Sequence, residues 1–198
     1  MIKKILLLAS VLVAAFLGLY IGMTFLRPYV FHGTVLQSEQ PVEDFSLTSM
    51  HGQQVKLSDY RNKIVVIYFG YTYCPDVCPT TLAEIKKALG ILGPAAHDIQ
   101  VIMITVDPER DTPAVLNSYM TQFDPNFLGL TGSVSDIQNV AAPLGVYFAR
   151  QDGATGSDYL MEHTASVMVL NKSGSLKLLW AYGTPASEMA EDLKYMLR

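Results

Sequence analysis

Ile64-Val-Val-Ile-Tyr-Phe69 leads into Gly70-Tyr-Thr-Tyr-Cys-Pro-Asp-Val-Cys-Pro79, and a segment with Leu82, Ile85 and Leu89 at helical spacing follows. An uninterrupted β-branched and aromatic run of this kind suits a strand buried on both faces. Strands buried that way lie between helices, so this stretch decides for an α/β fold. The loop presents two cysteines where strand gives way to helix, and ligand sites of such sheets lie outside the carboxyl ends of their strands.

Downstream, Ile99-Gln-Val-Ile-Met-Ile-Thr-Val106 reads as a second buried strand. Thr112 to Phe123 reads as a helix with Asp111 as its cap and Pro113 in its first turn. Asp124 to Glu162 carries only a short helical pattern near Ser135 to Ala142. Ala165-Ser-Val-Met-Val-Leu170 and Leu176-Lys-Leu-Leu-Trp-Ala-Tyr182 are strands joined by the turn Asn171-Lys-Ser-Gly174, and Ala186 to Leu197 is a closing amphipathic helix. Upstream, Phe45 to Thr48 and Gln53 to Leu57 flank a turn at Ser49-Met-His-Gly52 as a hairpin. Strand, helix, strand, helix, hairpin, helix predicts a thioredoxin-like fold, a mixed sheet flanked by helices.

Cys74 and Cys78 stand four residues apart, so both project from one side of a first helical turn and can reach one atom. The helix N-terminus favours thiolate over thiol. Two chemistries fit. As a redox pair, Cys74 and Cys78 are the catalytic residues of a thiol–disulfide oxidoreductase, a class that favours two intervening residues where this chain has three. As a metal site, two thiolates select Cu(I) or Zn(II), and a nitrogen ligand would admit Cu(II). Of the four histidines, His32, His51 and His97 fall in connecting segments. His163 closely precedes the strand Ala165 to Leu170, at the loop that faces the cysteine helix in the thioredoxin topology. Oxidoreductases of that fold carry a cis-proline there, and Glu162-His-Thr-Ala165 has none. The metal reading therefore takes Cys74, Cys78 and His163. A peroxidase would give His163 no role. Asp107, Glu109, Arg110 and Asp111 follow a buried strand and could support the site, dock a partner or cap the next helix. Asp76 lies between the cysteines. Met103 and Met168 belong to buried strands and read as core, whereas Met161 lies near His163.

The N-terminal segment bears on the compartment. Ile5 to Leu26 is 22 residues without a charge, roughly 33 Å as a helix and enough to span a bilayer core. A cleaved signal peptide is the alternative, with Val13-Ala14-Ala15 meeting the small-residue rule. The apolar run continues past it through Phe16, Leu17, Leu19, Ile21 and Phe25, which favours an uncleaved anchor over residues 1–27. A tether over 28–40 and a domain over 41–198 complete the organisation. Lys3 and Lys4 outweigh Arg27, so the positive-inside rule leaves the N-terminus in the cytoplasm of a bacterial-type membrane and the domain outside. Without those three, the 14 basic residues fall to 11 against 18 acidic ones. That balance argues against a nucleic-acid partner. Two cysteines cannot build a disulfide scaffold, so the domain folds on its apolar core.

Gly70-Tyr-Thr-Tyr-Cys-Pro-Asp-Val-Cys-Pro79, Val106-Asp-Pro-Glu-Arg-Asp-Thr112, Leu128-Gly-Leu-Thr-Gly132 and His163-Thr164 together resemble the Sco/SenC family over about residues 40–198. The family comprises membrane-anchored copper proteins that help assemble the binuclear copper centre of cytochrome c oxidase. The resemblance implies copper, as Cu(I) and Cu(II), on Cys74, Cys78 and His163. The implied partners are the copper-bearing subunit of the oxidase and other copper chaperones. Tyr73 and Glu162 depart from the family's usual histidine and aspartate without removing a ligand. A copper-delivery role implies no enzyme. A reductase acting on the oxidase cysteines is the alternative.

Overall fold

The computed structural model describes residues 2–25, 28–36, 41–153 and 159–198. Arg27 and the last part of the tether, 37–40, lie outside the described residues. The chain divides into two compact units, Met1–Val30 and Phe31–Arg198. In the first, helix α1 (Ile2–Phe25) has no acidic residue in its first turn and no basic one in its last. Its window Ile2–Tyr20 has a mean hydropathy of 2.2 and is long and apolar enough to cross a membrane.

The second unit contains ten strands and four α-helices among its described residues. These are β1 (Thr34–Val35), β2 (Ser46–Ser49), β3 (Gln54–Lys56), β4 (Ile64–Gly70), α2 (Val77–Leu92), β5 (Ile99–Thr105), α3 (Pro113–Met120) and β6 (Leu128–Thr131). Then come α4 (Val134–Ala141), β7 (Phe148–Asp152), β8 (Tyr159–His163), β9 (Val167–Leu170), β10 (Leu176–Trp180) and α5 (Ala186–Met196). Eight strands form one mixed sheet in the order β1-β10-β9-β4-β5-β6-β2-β3. Strand β4 runs parallel to β5 and antiparallel to β9, and β5 runs parallel to β6. With its helices this is the thioredoxin-like α/β fold expected from the chain order.

All seven residues of β4 are buried, as are all but Gln100 in β5. Each such Val, Ile or aromatic residue contributes about 1.5–3 kcal/mol by leaving water. The two strands end level: the Val106 amide donates to the Gly70 carbonyl at 2.9 Å. The cysteine loop and the loop 106–112 therefore leave the sheet side by side.

Three readings change. The long segment before His163 holds more than a short helix. It supplies β6 to the sheet and a separate two-stranded hairpin, β7–β8. His163 ends β8, and β9 begins only at Val167. Asp111 does not cap α3: Thr112 does, its hydroxyl accepting from the Val115 amide at 3.4 Å. Asp111 is buried instead. In the stretch read as a tether, Thr34 and Val35 pair with β10. The His32 and Gly33 amides donate to Asp192 at 3.0 and 3.1 Å.

Candidate metal centre

The cysteine half is set by Gly70 and Asp111. A Cβ on Gly70 would stand 2.6 Å from Tyr68 Cε1 and 3.2 Å from Cys78 Sγ. Only glycine leaves both groups room. Beyond Gly70, buried Asp111 accepts from the Thr72 amide at 3.0 Å and from the Thr72 and Thr105 hydroxyls, each at 2.6 Å. Burial pushes its carboxyl upward and these donors oppose the shift. One side chain thus ties the cysteine loop to the end of β5.

Both cysteines are free thiols, Cys78 fully buried and Cys74 half-buried. Cys74 Sγ accepts from the Cys78 amide at 3.4 Å, in the first turn of α2. Cys78 Sγ accepts from the Tyr68 hydroxyl at 3.4 Å. Burial pushes the Cys78 thiol up to about 12, with the Tyr68 hydroxyl opposing. Near neutral pH Cys78 therefore keeps its proton, and a bound cation would displace it.

His163 completes the group from 85 residues away, its Nε2 lying 3.5 Å from Cys78 Sγ. Its Nδ1 lies 3.1 Å from the Thr164 carbonyl. A carbonyl only accepts, so Nδ1 carries the ring proton and Nε2 turns its lone pair toward the sulfur. Burial holds the imidazole below its ordinary pKa, which keeps it neutral. Tyr68 and Tyr71 pack edge-on against it, with centroids 6.0 and 5.9 Å away. A neutral imidazole held by its second nitrogen beside a soft sulfur is a metal-binding arrangement.

The fold brings the three sequence-selected residues together, although no closed cluster of three donors is preformed among the described residues. Cys74 Sγ accepts from the Cys78 amide, which places it at the same helix start as the Cys78 sulfur. The other histidines lie elsewhere. His32 meets Glu191 on α5 at 2.9 Å, so it is not a bare solvated loop residue. His51 is in the β2–β3 turn, and exposed His97 pairs with Asp98 near the opposite ends of β4 and β5. A 690 Å³ cavity beside His97, lined also by Lys63, Lys86 and Phe127, includes neither cysteine nor His163. Asp76 is exposed and accepts from the Thr80 hydroxyl at 3.2 Å. Glu162 is exposed and accepts from Gln151 at 2.9 Å. Met103 and Met168 are core residues, and half-buried Met161 lies between Tyr159 and His163 on one face of β8.

The sequence reading missed Tyr68 and Tyr159, and left Asp111 open between capping a helix and supporting the site. Tyr159, Met161 and His163 alternate with exposed Leu160 and Glu162, a period-two pattern that could have marked the strand.

The family model described as SCO1/SenC matches residues 34–198. A SCO2-like protein of Rickettsia felis is 35% identical over 153 residues, covering 76% of this chain and 74% of that one. Among solved structures, Bradyrhizobium japonicum ScoI with copper bound is 38% identical with a TM-score of 0.73, over 79% of this chain and 99% of that one. The apo Sco1 protein of Thermus thermophilus is 40% identical with a TM-score of 0.76, over 85% and 98%.

Proposed function

The chain belongs to the SCO1/SenC family, and we propose that it is a copper-binding assembly factor for the binuclear copper centre of cytochrome c oxidase. Copper is its cargo, held by Cys74, Cys78 and His163. The observation that carries the assignment is the 3.5 Å approach of His163 Nε2 to Cys78 Sγ across 85 residues. Two thiolates hold Cu(I), and the imidazole adds the borderline nitrogen that Cu(II) takes. Delivery is ligand exchange: a thiolate or imidazole of the oxidase subunit enters as one of this chain's ligands leaves, with no change of oxidation state. Helix α1 anchors the chain with its N-terminus in the cytoplasm and the copper domain outside.

The test is anaerobic copper titration of the reduced, detergent-solubilised full chain with X-ray absorption. One copper per chain in a two-sulfur, one-nitrogen shell is expected. His163→Ala should weaken Cu(II) far more than Cu(I), because two thiolates suffice for linear Cu(I). An unchanged Cu(II) spectrum in that variant removes His163 from the ligand set.

The inequality of the thiols favours a second reading, a membrane-anchored reductase of partner cysteines. Cys74 is half-exposed at a helix start and Cys78 is buried behind it, as in a pair whose outer thiolate attacks and whose inner one resolves. Reductase activity should survive His163→Ala, whereas copper-centre assembly should not.

A further inference from the structure

Arg110 and Asp111 are neighbours in sequence, and each grips a different half of the site. Asp111 holds the cysteine loop through Thr72. Arg110 reaches the other half. Its guanidinium lies 3.6 Å from the centroid of the Tyr159 ring, and Nη1 donates to the Tyr159 carbonyl at 3.1 Å. Nε pairs with Asp107, which accepts from the Tyr159 hydroxyl at 2.8 Å. The same guanidinium lies 4.7 Å from the ring of Tyr73, the residue before Cys74.

We propose that Arg110 is a positioning residue of the metal centre: it latches hairpin β7–β8 against the cysteine loop so that His163 meets the thiols. The inference rests on the reading of Cys74, Cys78 and His163 as copper ligands.

The hairpin needs such a latch. Among the described residues β7 and β8 ladder only with each other; a two-stranded hairpin alone is marginal in water, and beyond Phe148 and Met161 packing on the core it is held by side chains such as Arg110. Tyr159 and His163 lie on the same half-buried face of β8, roughly 13 Å apart at strand spacing. Fixing Tyr159 therefore fixes the far end, where His163 sits. Arginine suits the task because its planar cation stacks on a ring while its edge donates to a carbonyl and a carboxylate. Lysine cannot do all three. The guanidinium is largely buried, and Nη2 finds no hydrogen-bond partner among the described residues.

The experiment compares wild type, Arg110→Met, Arg110→Lys, His163→Ala and the Arg110→Met/His163→Ala double variant as full chains in detergent. Cu(II) affinity and the thiolate-to-Cu(II) absorption are read beside Cu(I) affinity. Arg110→Met should weaken Cu(II) about 10–100-fold, as expected for losing a residue that orients a ligand, with Cu(I) little changed. Arg110→Lys should recover only part of the loss. In the His163→Ala background Arg110→Met should add almost nothing, because both changes remove one interaction. Additive losses, or a wild-type Cu(II) spectrum in Arg110→Met, overturn the latch. A wild-type chain without a thiolate-to-Cu(II) band overturns the ligand assignment instead. Hydrogen exchange without metal tests the latch independently: amides 159–163 should exchange faster in Arg110→Met while 99–105 stay protected. Unchanged exchange at 159–163 also overturns it. Should Arg110→Met not fold, Tyr159→Phe, which deletes only the hydroxyl to Asp107, must speed exchange at 159–163 or the latch is wrong.

Discussion

Cys74 and Cys78 stand at the end of a strand buried at every position and laddered on both sides, whereas His163 ends a hairpin that shares no described ladder with that sheet. Moving Cys78 means disturbing the core. Moving His163 means breaking only side-chain contacts, those around Tyr159 and its own packing on Tyr68 and Tyr71. Local stability in folded proteins follows such differences, from freely opening loops to strands that open only with global unfolding. In the proposed delivery role, two ligands on a rigid base and one on an arm would let retention and release be adjusted separately.

The largest test of the comparison is Cys78→Ser. A hard, protonated hydroxyl replaces a soft sulfur, so copper affinity should fall by more than the ~10–100-fold typical of orienting residues. Both oxidation states should suffer, unlike His163→Ala, and competition titrations with a copper chelator measure it. Retained Cu(I) affinity in Cys78→Ser would mean that the rigid half is not the half that grips the ion.

Gly70→Ala probes how rigid that half is. The new methyl meets Tyr68 and Cys78, both fully buried. Overpacking of this kind costs about 1–3 kcal/mol. Denaturant unfolding should show that loss, together with a weakened copper site because Sγ is displaced. Wild-type stability would reveal slack in the core where none is expected.

The same contrast explains what could be read from the amino-acid sequence. Ile64–Gly70 and Ile99–Thr105 were legible because buried parallel strands are written as continuous apolar runs. Cys74 and Cys78 followed from their place after the first of these. His163 was reachable through the topology as a residue shortly before β9, and the fold adds that it ends β8. Strand β7 was invisible because Phe148-Ala-Arg-Gln-Asp152 ends in exposed polar residues and carries no apolar alternation, whereas the alternation of β8 was there to be read. Strand β6 is only four residues long. Asp111 was left open because an aspartate beside a helix start has the same local signature whether it caps the helix or braces a loop 39 residues away. Arg110 could be noticed as a charge beside the site, but its partners Tyr73 and Tyr159 are brought to it only by the fold.

The smallest expected effect concerns the opposite edge of the sheet, where His32 serves as a control on the independence of the metal centre. Its imidazole bonds Glu191 at 2.9 Å and lies 3.8 Å from Glu188. The Glu191 hydrogen bond raises its pKa above the ordinary histidine value, with desolvation opposing and the charges of Asp192 and Glu188 adding. A histidine raised by folding stabilises fully below its unfolded pKa of about 6.5, and the contribution fades as pH rises through the higher folded value. Both partners are substantially solvent-exposed, so screening limits the gain to about 0.5 kcal/mol or less. Wild type should therefore lose this small increment as pH rises from about 6.5 through the folded value, and His32→Gln should flatten the profile. The ring, not the backbone, makes this contribution: the His32 amide still reaches Asp192, which also accepts from Trp180 Nε1 at 2.9 Å. Because β10 and β9 lie between the edge strand β1 and the strand that leads into the cysteine loop, the thiolate-to-Cu(II) spectrum of His32→Gln should match wild type at every pH in the window. A shifted band would mean that the edge strand and the metal centre are coupled, and the rigid half could no longer be treated as an independent base.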